Sequence, residues 1–138
     1  MKKLSIFLFV SALFGFNIHL TAQTGKVKPT LEVFYFHVTN RCPTCISIET
    51  NTKKTLETTF SKEVKEGKIK FTVLNSDEPK NKAICEKYEA FGATLILVKY
   101  ANGKETKENL TNFAFSYSRN QPNKFIAGLQ EKIQAMTK

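Results

Sequence analysis

The sequence contains no tryptophan, no internal repeat, no low-complexity tract and no long run of one charge. With 41% hydrophobic and 24% charged residues it has the balance of a folded soluble chain, which excludes wholesale disorder and a multispan membrane protein. The net charge of +9 would suit a nucleic-acid binder. Yet the lysines are scattered among acidic residues, none runs longer than the pairs Lys2-Lys3 and Lys53-Lys54, and no nucleic-acid motif is present, so the charge reads as a solvated basic surface. No flavin- or nicotinamide-binding fingerprint occurs either, and no bound organic cofactor is expected. What the chain does have is size for one core in its 138 residues, and twelve phenylalanines with which to fill it.

The N-terminus reads as targeting rather than fold. Met1-Lys2-Lys3 is a positive start, Leu4 to Phe16 is an almost unbroken apolar stretch, and a short polar transition leads to Ala22-Gln23. The stretch is short for a membrane span, and Asn17 and His19 interrupt it, so residues 1–22 are expected to be a secretory signal cleaved after Ala22. Leu20 stands where a small residue is preferred, which keeps an uncleaved anchor as the alternative and the only expected membrane contact. Cleavage would remove only Lys2 and Lys3 among the charges, so the remaining domain stays basic. Export, with the periplasm as compartment, follows from this reading.

Export changes the meaning of Cys42, Cys45 and Cys85. Three is an odd set, so a disulfide scaffold is not expected, and a bridge across two intervening residues closes too small a loop to be chiefly a staple. Half a zinc site is disfavoured because no second CxxC or His pair follows, and His19 belongs to the signal. Cys85, beside Ile84, reads as a small buried hydrophobe.

After a linker at residues 23–30, Leu31 to Val38 is β-branched and aromatic throughout, a buried strand. From Cys42 the residues Cys45, Ile48, Thr52, Leu56 and Phe60 recur at helical spacing. Gly67 ends a charged turn, and Ile69 to Leu74 alternates as a second strand. A second helix begins near Pro79, with Ser76 or Asp77 able to cap it and Ile84, Tyr88 and Phe91 on one face until Gly92. Thr94 to Tyr100 forms a third strand, Asn102-Gly103 a type I′ turn, and Lys104 to Leu110 a polar antiparallel edge strand. A connector carrying Phe113, Phe115 and Tyr117 leads to a last helix from Pro122, with Phe125, Leu129 and Ile133 on one face. The order βαβαββα predicts an α/β domain over residues 31–138, a central mixed sheet flanked by helices.

Cys42-Pro43-Thr44-Cys45 follows the first strand and opens the first helix. With Cys42 as N-cap and Pro43 as the first helical residue, the free N–H groups and positive helix end face the Cys42 sulfur and favour its thiolate, and Arg41 next door adds positive charge. Such thiols have pKa values lowered to roughly 3.5–7.5 from about 8.5. Cys42 is then the attacking thiol, and Cys45, within the first turn, the resolving one. An inert disulfide or simple packing is the alternative for this pair. His37, at the end of the first strand, is either a hydrogen-bonded structural residue or a proton carrier near the cysteines.

The element order together with the helix-opening CxxC resembles the thioredoxin fold. The segments Phe36 to Cys45 and Leu110 to Asn120 are also similar to a bacterial thioredoxin-like family named after an arsenic-operon gene, the nitrophenyl-compound nitroreductase subunit, ArsF family. The resemblance implies a thiol-disulfide oxidoreductase acting on protein or small-molecule disulfides without bound cofactor, and any nitroreduction would need a partner reductase. Thioredoxins carry a cis proline before the third strand where this chain has Ala93, so a trans Gly92-Ala93 peptide is expected, with an active-site rim suited to small ligands or a specific partner. They also carry a buried aspartate in the first strand, where this chain has Tyr35-Phe36-His37. The alternative class is a binding module: a soft-metal or arsenite carrier using Cys42 and Cys45, or an electron-delivering subunit.

Overall fold

A computed structural model describes residues 28–138. The expected signal at 1–22 and most of the linker at 23–30 lie outside the described residues. Strand β1 (Leu31–His37) leads through a five-residue loop into helix α1 (Pro43–Thr59), followed by α2 (Ser61–Lys65), β2 (Ile69–Asn75), α3 (Lys82–Tyr88), β3 (Thr94–Ala101), β4 (Lys104–Asn109), α4 (Thr111–Tyr117) and α5 (Pro122–Thr137). The four strands form one mixed sheet in the order β2-β1-β3-β4. β1 runs parallel to β2, from Leu31 opposite Ile69 to His37 opposite Asn75, and antiparallel to β3, with Phe36 opposite Thr94. β4 returns antiparallel beside β3. The domain is thus an α/β fold with helices on both faces of a mixed sheet.

Alternation along β1 divides the core in two. Leu31, Val33 and Tyr35 point to one face, where Leu95 and Leu97 of β3 meet Ile48 and Leu56 of α1 and Phe125, Leu129 and Ile133 of α5. Phe34 and Phe36 point to the other, against Ile96, Val98, Cys85 and Tyr88. Both faces being covered explains why β1 reads as a continuous apolar run rather than an alternating one. Each fully buried large side chain contributes about 1.5–3 kcal/mol. Polar β4 is an edge, as its sequence predicts, and Asn102 and Gly103 both have positive φ (53° and 72°), as a type I′ turn demands.

Several local expectations are corrected. The stretch after β4 is helix α4 rather than an extended connector: Leu110 and Ala114 bury one side, and Phe113 stacks on Phe125 at 5.4 Å. Seven residues cannot hold a helix by propensity, so packing on α5 makes it. The charged turn before Gly67 contains the short helix α2, none of whose residues is buried. Neither Ser76 nor Asp77 caps α3. Ser76 Oγ donates to the Ala90 carbonyl, Asp77 accepts the Thr39 N–H at 2.7 Å, and a 3-10 turn over Pro79–Asn81 precedes the helix. Glu89, left-handed at φ 53°, ends α3 before Gly92, and the Glu89 and Ala90 N–H groups donate to carbonyls of the last turn. Phe91 therefore leaves the helix face and stands 76% exposed, and Phe115 is exposed too, so neither belongs to the phenylalanine core.

The topology gathers one end of the sheet. The C-terminal ends of β1 and β2 and the beginning of β3 lie together, and the end of α4 is tied to α1 by Ser47 Oγ and Asn51 Nδ2, both donating to the Ser118 carbonyl at 2.7 and 2.8 Å. The β1–α1 junction stands at this end.

Candidate functional site

Cys42 is the N-cap of α1 with extended backbone, and Pro43 is the first helical residue, where its missing N–H costs nothing. The Cys42 Sγ accepts the Cys45 N–H at 3.2 Å, one of the donors that every helix start leaves free. The two cysteines are joined in a disulfide with Cα atoms 5.1 Å apart. Their surroundings differ: Cys42 and Pro43 are exposed, Thr44 is half-buried, and Cys45 is 6% exposed on the core side of the helix. A partner thiol or disulfide can reach the first sulfur and not readily the second.

Arg41 does not extend into solvent. Its guanidinium pairs with Glu49 of α1 at 2.6 Å, donates to the Cys45 carbonyl at 3.3 Å and lies over the Tyr35 ring. The Tyr35 hydroxyl donates to that same carbonyl at 2.8 Å. Burial raises the Tyr35 phenol above its ordinary value, against the opposing pull of Arg41. Strand β1, the loop and the first turn of α1 are in this way clasped at one oxygen atom.

His37 is half-buried, its Nδ1 3.0 Å from the Val38 carbonyl and its ring tilted against Tyr35. The loop beside it is tied to the end of β2 by the Thr39 N–H to Asp77 bond and by Asn75 Nδ2 to Thr39 Oγ1 at 3.1 Å. That backbone bond lowers the Asp77 carboxyl below its usual range, with smaller help from the Thr39 hydroxyl and His37. Ala93 is half-buried directly before Thr94, which pairs with Phe36 one residue from His37, and the Gly92-Ala93 peptide is trans. The six residues singled out from the sequence thus share one end of the sheet. Cys85 is a free, buried cysteine on the other face of the sheet.

No protein-family model matches the chain, and no curated protein does. A solved structure described as that of a malarial protein is similar over 72% of this chain and 96% of its own, at 20% identity and a TM-score of 0.43. A likeness of that size carries no inference about fold family or activity.

Tyr35 and Glu49 are the site residues that sequence reasoning missed. Glu49 stands four residues after Cys45, an i,i+4 spacing that puts both on one helix face and could have drawn attention to it. Tyr35 sits in an apolar run that signals only core. Among the concavities elsewhere are a groove of about 800 Å³ between β2 and α1, lined by Leu56, Val64 and Phe71, and one of about 410 Å³ lined by Cys85 and Phe91.

Proposed function

We propose that this chain is an exported thiol-disulfide oxidoreductase of thioredoxin-like fold that works through the Cys42–Cys45 couple. The observation that carries the reading is the asymmetric bridged pair at the start of α1, one sulfur exposed at the helix N-terminus and the other buried a turn's breadth inside. The strand order β2-β1-β3-β4, with the pair at the β1–α1 junction, supports the thioredoxin-like assignment. In the reduced state the positive helix end favours a Cys42 thiolate, which attacks a partner disulfide and releases one partner thiolate. The resulting mixed disulfide is attacked by Cys45, which frees the second partner thiol and restores the Cys42–Cys45 bridge. The reverse sequence oxidises a partner dithiol. Exposure of Cys42 on a surface rather than in a closed cleft suits protein partners as well as small disulfides.

Equilibration of the protein in glutathione buffers, followed by thiol trapping and mass spectrometry, tests this. Cys42 and Cys45 are expected to gain and lose alkylation together, with Cys85 unaffected, and Cys45→Ser to accumulate mixed disulfides at Cys42. Two thiols that stay free at every potential, or a bridge to Cys85, would remove the proposal. Tight arsenite or soft-metal binding that needs both cysteines, with no trapped partner, would point to a carrier instead.

A further inference from the structure

Arg41, Glu49 and Tyr35 take no part in the exchange steps above, yet they converge on one atom of the redox pair. The Cys45 carbonyl oxygen accepts Tyr35 Oη and Arg41 Nη2, and the same Nη2 lies 2.6 Å from Glu49 Oε2. Arg41 adjoins exposed Cys42 in sequence, and Glu49 lies one helical turn beyond Cys45. Their side chains are only 24% and 31% exposed, so their charges are screened less than those of surface residues. The guanidinium is held 5.8 Å from the centroid of the fully buried Tyr35 ring, which fixes its place. An arginine next to a CxxC would otherwise present a free positive charge to the thiolate, and here a carboxylate cancels it.

We infer that Glu49 sets the redox equilibrium of Cys42–Cys45 by neutralising Arg41, with Tyr35 holding the pair over the first turn of α1. This rests on the exchange chemistry proposed above. Arg41 and Glu49 are positioning residues that act through the field at the sulfurs. In the exchange, the disulfide and two glutathione thiols give the reduced pair and one glutathione disulfide; two electrons pass to the protein, one proton stays on Cys45, and the other goes to solvent where Cys42 stands as the thiolate. The Cys42 thiolate of the reduced form carries a charge that the disulfide does not, so nearby positive charge favours reduction and nearby negative charge opposes it. Glu49→Gln leaves Arg41 uncancelled and shifts the equilibrium toward the dithiol. Arg41→Met keeps an apolar stem, leaves Glu49 uncancelled and shifts it toward the disulfide. The double variant removes both charges and returns close to the parent.

The measurement is the equilibrium constant against glutathione for the parent, the two single variants, the double variant and Arg41→Lys, read by thiol trapping. The single variants are expected to move it in opposite directions, each on the order of tenfold, which for a two-electron couple is about 30 mV. The double variant and Arg41→Lys should stay within about threefold of the parent. Shifts of the same sign in both single variants, or none in either, overturn the inference, because a purely structural role moves them alike. Should Arg41→Met fail to fold, the Glu49→Gln shift toward the dithiol together with the unmoved Arg41→Lys decides. A parent protein that never equilibrates with glutathione defeats the exchange reading itself, whereas a normal parent with flat variants defeats only this inference.

Discussion

The hydroxyl of Tyr35 sits in a fully buried side chain and reaches a carbonyl that already belongs to a helix. Tyr35→Phe removes one buried hydrogen bond and should lower unfolding free energy by about 1 kcal/mol, measured as a fall in the urea midpoint. Tyr35 and Tyr100 share a second property: burial, first among the causes in both, raises their phenols above the ordinary 10.0, and for Tyr100 the bonds with Tyr88 and Glu32 add to it. A raised folded-state value means that this stability is fully present below pH 10 and is lost as pH climbs from there toward the raised values, because the unfolded chain releases its protons first. The urea midpoint should therefore fall above pH 10, less steeply in Tyr35→Phe, with the phenolate absorbance of these two groups appearing only as the protein unfolds. An unchanged midpoint from pH 9 to pH 11 would contradict it. Such bonds were not legible beforehand. The CxxC announces itself because its chemistry is local, whereas the Tyr35 hydroxyl finds its use through a loop, and the Thr39–Asp77 bond joins residues 38 apart.

Among the elements, those with a local signature were legible: β1, β3, the Asn102-Gly103 turn, and α5 with its Phe125, Leu129 and Ile133 stripe. Those made by their neighbours were not. Helix α4 exists because Ala114 and Phe113 have somewhere to pack, and α3 ends at Glu89 because the chain must turn to deliver Ala90 to the core, a backbone demand that outweighs the glycine signal at Gly92. The α4–α5 contact has a test of its own. Gly128 lies inside α5, where alanine would ordinarily improve helix propensity by roughly 0.5–1 kcal/mol. Here a Cβ would stand 2.8 Å from Cε2 and Cζ of Phe113, whose ring is stacked on Phe125 and packed beside Tyr117. Overpacking of this kind costs about 1–3 kcal/mol. Gly128→Ala should therefore destabilise by about 1 kcal/mol net, read in thermal unfolding, and adding Phe113→Leu should recover part of the loss. A rise in melting temperature for the single variant would show that the ring yields freely.

At the scale of the molecule, the α/β class and the order of the four strands and the longer helices followed from periodicity, while α2, α4 and the assignment of helices to faces depended on packing and register, which periodicity does not supply. The two faces are unequally covered. One carries α1, α4 and α5, and the other is closed by the seven residues of α3, whose Cys85 and Tyr88 pack on Phe34, Phe36, Ile96 and Val98 of the sheet. Opening the thin side exposes less apolar surface and breaks fewer backbone bonds, so it requires less free energy than opening the thick one. Native-state hydrogen exchange should show α3 amides exchanging through sub-global openings well before those of α1 and α5, and equal protection across both faces would refute this. The cysteine pair rides on α1, in the slowest-opening unit. Fluctuations that loosen α3 would then leave the geometry of the Cys42–Cys45 pair undisturbed, so one wall of the sheet opens and recloses many times while the start of α1 keeps its shape.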